Sequence, residues 1–390
     1  MHSSPTEFKK KRIAVIAHGL RMAGGLTVGR NFIASLARVA PQHTYLFIIP
    51  AGLGYEEICG KFPDAFVLSY EHSGVLRRWF YDTCRYPRVI AEFKPDRILA
   101  LGNYGLVKPP APQAIFFHNA HRCYPLRQIK HGPIPRLLID PKTALFYYRK
   151  SRFRKQLRDT SWLICQTEVM ADRVRRMYSY DGEVLICPNA ISEFVEAMSS
   201  KDPIGPPIRS SKSMILLCLT RYYTHKNLEG IIETFERFRG ELHDVAVILT
   251  IAAEQHPLAA KLLKRIARLG LGDNIVNVGP IDHAEVGRYY RSCQGLLMPT
   301  LLESFGIYPE PMYFGVPILT SDLDFAHAVC GDAALYFDPR DPRAMRDAIL
   351  RLKNDSVLCQ TLVENGKRRL VELGGVSWDD NVRKVMEAIS

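Results

Sequence analysis

No stretch of this sequence comes near the roughly 18 consecutive apolar residues that a membrane-spanning helix needs. The apolar "IAVIAH" that follows the basic start "MHSSPTEFKKKR" is too short for the apolar region of a signal peptide. The expectation is a cytoplasmic protein without a spanning helix. Its nine cysteines are an odd set without C-x-x-C pairs or the Cys/His spacing of a zinc knuckle, so neither a disulfide framework nor a cysteine-built metal site is indicated. Repeats of fixed period and low-complexity tracts are absent too, which excludes solenoids. Acidic residues are scarce in one half only. Residues 1–200 hold 29 Lys and Arg against 16 Asp and Glu, and residues 201–390 hold 23 against 24, so the net charge of +12 divides as +13 and −1. A basic half favours anionic partners such as phospholipid headgroups, acidic glycans or nucleic acid, unless it is simply a solvated basic face.

What is present is enough apolar sequence for a sizeable core: 47% of 390 residues, which suits two domains. In the first half, "RIAVIAH", "YLFIIP", "FVLSY", "RILALG", "AIFFHN", "WLICQT" and "EVLICP" alternate with longer helical patterns. Near-continuous apolar runs of this kind predict strands covered on both faces, as in a parallel sheet flanked by helices. After the Pro- and Ser-rich "SSKDPIGPPIRSSKS" the pattern restarts with "MILLCLT", "VAVILTIA", "NIVNVGP", "GLLMPT", "VPILTSD" and "ALYFDP". The fold class is therefore α/β, with doubly wound units at 1–198 and 214–375 joined by a linker at 199–213. Two such units meeting across a linker leave a cleft, and parallel sheets bind ligands at the carboxyl ends of their strands.

Four strand ends carry candidate chemistry. In "IAHGLRMAGGLTVGRNF", Gly24 and Gly25 form a tight strand-to-helix turn where backbone can approach a phosphate, although the segment is neither a G-x-G-x-x-G fingerprint nor a Walker A sequence. In "LCLTRYYTHKN", Arg221 and Lys226 put two cations at a strand-to-helix turn, suited to a diphosphate. His118 leaves the apolar strand of "AIFFHNAHR"; His121 lies nearby, yet no carboxylate or cysteine at matching spacing supports a metal. In "TLLESFGIYPEPMYFGVPILTSD", Glu303 stands at a strand end, Pro309 opens a short helix ended by Gly315, and Glu310 lies near that helix's N-terminus. The amides of Phe305 and Gly306 are free to donate. Two acids also fit a glycosidase pair, but the nearby cations favour departure of a phosphate. Asp322 and Asp324 form a D-x-D, in which Asp324 fits better as the cap of the next helix than as a metal ligand.

Together "TRYYTHKN", "PTLLESFG", "EPMYFGVPILTSD" and "CGDAALYFDP" resemble the retaining glycosyltransferases of family four, which have the GT-B fold. The order of motifs, with "TEVMADRVRR" and then "VLICPNAI", follows that family over most of the chain, specifically in the second half and loosely in the first. The resemblance implies a second domain that holds a nucleotide-diphosphate sugar. Arg221 and Lys226 would contact the diphosphate, Glu303 the sugar hydroxyls, the Ser304–Gly306 turn the sugar ring through its amides, and Glu310 the ribose. His118 would be the active-site histidine near the transferred sugar, and Gly24 and Gly25 would lie against the diphosphate. The first domain would bind the acceptor, and the final segment, 376–390, would be the helix that crosses back to it. One departure concerns the acids: the family usually places seven residues between them, and here only six, "SFGIYP", separate Glu303 from Glu310.

The reading that results is a retaining, metal-independent hexosyltransferase without a cofactor. It moves a sugar, with a lean to GDP-mannose as donor, onto a glycan or lipid-linked acceptor in surface polysaccharide assembly. The aromatic and basic "FYYRKSRFRKQLR" suggests peripheral contact with anionic membrane at its inner face. The alternative is a non-catalytic nucleotide-sugar-binding subunit, motivated by the short acid spacing. A nucleic-acid binder rests on charge alone, and the donor-site motifs argue against it.

Overall fold

The computed structural model describes residues 9–71, 74–124, 141–191, 210–374 and 377–390. Most of the linker expected at 199–213 lies outside them. The described residues cluster into two units: 9–71, 74–123, 141–190 and 377–390 form the first, and Tyr124, Ile191 and 210–374 the second.

Every apolar run named above becomes a strand. The first unit contains β1 (Arg12–Ile16), β2 (Thr44–Pro50), β3 (Ala65–Tyr70), β4 (Arg97–Ala100), β5 (Gln113–Phe117), β6 (Trp162–Cys165) and β7 (Glu183–Ile186), ordered β3-β2-β1-β4-β5-β6-β7. All neighbours run parallel. The second contains β8 (Met214–Cys218), β9 (Val245–Leu249), β10 (Ile275–Asn277), β11 (Gly295–Met298), β12 (Ile318–Ser321) and β13 (Ala334–Phe337), ordered β10-β9-β8-β11-β12-β13 and again all parallel. Covered strands lose their polar alternation: all seven residues of β2 and all five of β9 are buried. At the edge of the first sheet, β3 leaves Phe66 and Val67 exposed. In both units the chain order reverses beside the first strand, between β1 and β4 and between β8 and β11. A ligand crevice forms at such a reversal, because the loops leaving the two strands turn to opposite faces.

The helix Ala23–Val39 buries Val28, Phe32, Ile33 and Leu36 against the first sheet. It is joined there by the final helix Trp378–Ala388, which contributes Trp378, Val382, Val385 and Met386 to the same core. Ser377 caps this helix by accepting from the amides of Asp379 and Asp380. Asp379 in turn accepts from Ser35 (2.5 Å) and pairs with Arg38 (2.7 Å), which anchors the helix on its polar side. All the cysteines except Cys84 and Cys359 are buried.

Two local expectations change. Gly24 and Gly25 do not form a turn, because the helix already begins at Ala23 and both glycines lie in its first turn. Asp324 is not a cap either: Leu323 holds the cap position, and the Asp324 carboxylate accepts from the amide of Phe325 and the hydroxyl of Tyr124, each at 3.0 Å. Within the helix Pro141–Arg158, Phe153 and Leu157 are buried, and Phe153 stacks on Phe117 with ring centroids 4.8 Å apart. Part of its aromatic sequence thus serves the core, and Tyr147 and Tyr148 remain about half exposed. No helix among the described residues is long and apolar enough to cross a membrane.

Candidate functional site

The reversal in the second sheet places two loops side by side. Residues 219–227 leave β8 through a short turn, Thr224–Lys226, and enter the helix Leu228–Arg237; residues 299–308 leave β11 and enter the helix Pro309–Phe314. The loops are stitched together at His225, whose carbonyl accepts from the amide of Leu301 (2.7 Å) and the hydroxyl of Thr300 (3.2 Å). This brings Lys226 to Glu303. The ammonium donates to Oε1, on which the Thr300 hydroxyl also converges at 3.3 Å. The two side chains are only 14% and 13% exposed. Water is largely excluded from the pair, so each charge depends on the other for its compensation. Arg221, by contrast, is exposed, and its guanidinium has no ion-pair partner among the described residues.

Beyond Glu303 the backbone bends through Gly306, at φ +78°, a conformation that disfavours any residue with a Cβ. A Cβ there would also lie 2.7 Å from Cε2 of Tyr308. Phe305 is buried beneath the turn, Ser304 is part-exposed, and the amides of Phe305 and Gly306 meet no backbone carbonyl among the described residues. The turn therefore presents unused donors next to a lysine–carboxylate pair and a free arginine. Such a set suits an anion that carries a hydroxyl-rich group.

Glu310 has a different environment. It sits in the first turn of the helix Pro309–Phe314, and its Oε2 accepts from the hydroxyl of the fully buried Tyr290 at 3.0 Å. Surrounding protein pushes its pKa up to about 7, and the Tyr290 hydrogen bond acts in the opposite direction. The two acids thus have separate partners. Asp322 is hydrogen-bonded to His327 at 2.6 Å, and no three metal-ligating side chains come together among the described residues.

In the first unit, His118 follows β5, with its backbone amide held by Asn103 Oδ1 at 2.6 Å. Both ring nitrogens are buried and meet no hydrogen-bond partner at good geometry. Burial pushes the pKa of the ring down to about 4, although Gln166 and the Leu101 carbonyl favour its charged form slightly. It is accordingly a neutral imidazole at physiological pH. Gly24 is exposed, and a Cβ there would touch nothing within 4 Å; at Gly25 it would lie 3.3 Å from the Leu20 side chain. The approach to this helix start is open.

Sequence reasoning overlooked three features. Nothing in the spacing of Lys226 and Glu303 announced a mutual ion pair, and Tyr290 lies 20 residues before the acid it serves. The third is His18, just after β1, whose Nε2 lies 2.8 Å from Asp82 Oδ1. Asp82 is presented by a π-helical turn, Tyr81–Arg85. Burial raises the pKa of Asp82, but His18, Arg78 and Arg152 together outweigh it and hold the carboxyl below its ordinary value.

Comparisons with known proteins bear on the fold and on the segment that carries these loops. Residues 205–369 match the family Glycosyl transferases group 1. The chain is 24% identical over 183 residues to the O-antigen chain mannosyltransferase RfbU of Salmonella typhimurium, a match that covers 47% of this chain and 48% of RfbU. It thus spans about half the length of that relative. Among solved structures, WaaG, a glycosyltransferase involved in lipopolysaccharide biosynthesis, superposes with a TM-score of 0.71 at 16% identity, over 97% of this chain and 99% of that one. Anabaena HepE in complex with UDP and glucose superposes with a TM-score of 0.67 at 12% identity, over 97% and 99%. These likenesses show the shared fold, two Rossmann-like units of the GT-B class. The switch-point loops with Arg221, Lys226 and Glu303 fall inside the segment, residues 205–369, that is similar to the group 1 glycosyl transferases.

Proposed function

We propose that this protein transfers a hexose, with retention of anomeric configuration, from a nucleotide-diphosphate donor to a glycan or lipid-linked acceptor in surface polysaccharide assembly. The observation that carries this reading is the Lys226–Glu303 pair beside the exposed Arg221 and the unused amides of Phe305 and Gly306. An arriving diphosphate competes with Glu303 for Lys226, and Arg221 supplies a second cation. Freed from Lys226, the Glu303 carboxylate accepts hydrogen bonds from the sugar hydroxyls. One event thus charges the phosphate site and opens the sugar site.

In the reaction, the bond from the anomeric carbon to the diphosphate oxygen breaks while that carbon bonds to the acceptor oxygen on the same face. The acceptor proton passes to the departing phosphate. Arg221, Lys226 and the helix N-termini stabilise the charge that grows on the leaving group, fixed in place before reaction, while the turn amides hold the sugar; loss of one such cation costs on the order of 10²-fold in rate. In this reading the two cations do the work of a divalent ion, and Glu310 takes the ribose. His118 is the first unit's contribution, a neutral imidazole offered to the transferred sugar, and Gly24 and Gly25 leave backbone open towards the diphosphate. The RfbU relative is named a mannosyltransferase, which supports mannose as the transferred sugar; the guanosine carrier is part of the proposal. Contact of the basic first unit with anionic membrane, through the exposed Tyr147 and Tyr148 and their neighbouring arginines, belongs to the same proposal.

A thermal-shift panel of nucleotide sugars tests the donor reading, since a ligand that binds only the folded chain raises its melting temperature with concentration. GDP-mannose is expected to stabilise the chain, and Lys226→Ala to remove the effect. A flat response to every guanosine, uridine and adenosine diphosphate sugar would overturn it. Binding without turnover, with membrane acceptors supplied, would favour the non-catalytic alternative.

A further inference from the structure

Arg122 ends the short turn Ala120–Arg122 that follows β5 and His118. It is only 4% exposed. Its guanidinium carbon lies 3.8 Å from the ring centroid of Tyr104 and 5.4 Å from that of Phe153, and its own carbonyl accepts from the Tyr178 hydroxyl at 2.8 Å. Nη1 is buried without a hydrogen-bond partner, and among the described residues no carboxylate pairs with the guanidinium. Its charged neighbours are instead Arg149 and Arg152, of like sign, on the helix Pro141–Arg158. Burial first, and these two arginines after it, pull its pKa down to about 10, so it keeps its proton at neutral pH. Arg149 is exposed and Arg152 part-exposed. An acid close to Arg152 is Asp82, whose carboxylate is hydrogen-bonded to His18; Arg152 donates to its backbone carbonyl, at 3.5 Å.

A buried guanidinium needs an anion or a full set of acceptors, and burial without either costs several kcal/mol. Aromatic faces offset only part of that cost. Arginine that is desolvated, planar and flanked by more arginine is the arrangement that grips a tetrahedral anion through paired N–H donors. We propose that Arg122, Arg149 and Arg152 form a binding site for a phosphoryl group, carried by the acceptor. The link to the acceptor rests on the transferase reading above; the anion site itself does not. Soluble phosphorylated glycans and lipid-linked diphosphates both supply this group.

The experiment measures melting temperature against inorganic pyrophosphate. It uses the Arg221→Ala/Lys226→Met/Glu303→Gln chain, in which both members of the enclosed pair are neutralised together, so that pyrophosphate held by the second unit does not contribute. Pyrophosphate is expected to raise the melting temperature, and adding Arg122→Met to weaken the apparent affinity at least tenfold. Arg149→Ala/Arg152→Ala, on the helix surface, should weaken it similarly and keeps the test available if Arg122→Met fails to fold. Cosedimentation with phosphatidylcholine vesicles, with and without phosphatidic acid, separates the sources. Binding that needs phosphatidic acid and Arg122 identifies a lipid-borne phosphate, whereas a pyrophosphate response without vesicle binding identifies a soluble one. Equal pyrophosphate affinity with and without the arginines, or no response at all in either assay, would overturn the site. GDP-mannose binding by the unsubstituted chain is read separately, so failure of the donor reading is distinguishable from failure of this one.

Discussion

The two units share one strand order around their switch points but treat buried charge in opposite ways. In the second unit, Lys226 and Glu303 are nearly enclosed and neutralise each other. In the first, Arg122 is more deeply enclosed, and among the described residues it has aromatic rings and two further arginines near it and no carboxylate partner. A paired site is stable when empty and exchanges its partner for the ligand. An unpaired one is stabilised by the ligand itself. The difference shows that sheet topology supplies a place for chemistry, while the side chains on the loops decide whether that place stands ready or waits for its counter-ion.

The largest effect that would sharpen this contrast is on the paired side. Lys226→Met leaves Glu303 enclosed and uncompensated, and is expected to destabilise the chain by about 3–5 kcal/mol in urea unfolding. Glu303→Gln added to it should restore much of that loss, and additive costs would show that the pair is not coupled. Gly306→Ala comes next. With φ at +78° and Tyr308 in the way, it should cost about 1–3 kcal/mol and weaken donor binding, because the same turn carries Glu303 and the free amides.

Glu310 gives a third, pH-dependent test. Its folded-state pKa of about 7 lies above the ordinary carboxylate value, so the folded chain binds this proton more tightly than the unfolded one. Its contribution to stability is therefore complete at acid pH and is lost as the pH rises through about 7. Glu310→Gln should flatten that part of a stability-against-pH curve. Tyr290→Phe removes the hydrogen bond that lowers the pKa, so the ascending limb of donor affinity against pH should move to higher pH; an unmoved limb would detach Glu310 from the donor. The smallest expected change is on the unpaired side: in the absence of anions, Arg122→Met should leave the melting temperature unchanged or slightly raised. A fall of several degrees would make Arg122 a structural cation held by Tyr104 and would break the comparison.

The strands were legible because a strand covered on both faces must be apolar along its length, and runs such as "TYLFIIP" and "VAVIL" permit little else. The short helix from Pro309 to Phe314 was legible for the same kind of local reason, with proline at its start and glycine at Gly315, φ +66°, after its end. Gly24 and Gly25 were misplaced because glycine signals conformational freedom without requiring its use, and packing of the apolar face of Ala23–Val39 carried the helix through both. Asp324 illustrates the reverse, since a residue with strong capping preference went instead to the hydroxyl of Tyr124.

By itself the sequence determined the two parallel sheets, the places where loops leave them, and the chemical types on those loops, because burial and turn geometry act over a few consecutive residues. The tertiary structure alone decided that Lys226 meets Glu303, that Tyr290 holds Glu310, and that Arg122 is enclosed without an acid among the described residues. Those outcomes depend on which strand ends become neighbours. The sequence separation of 77 from Lys226 to Glu303 collapses to a single contact only when β11 pairs with β8, and charge compensation is set by distance in space, not along the chain.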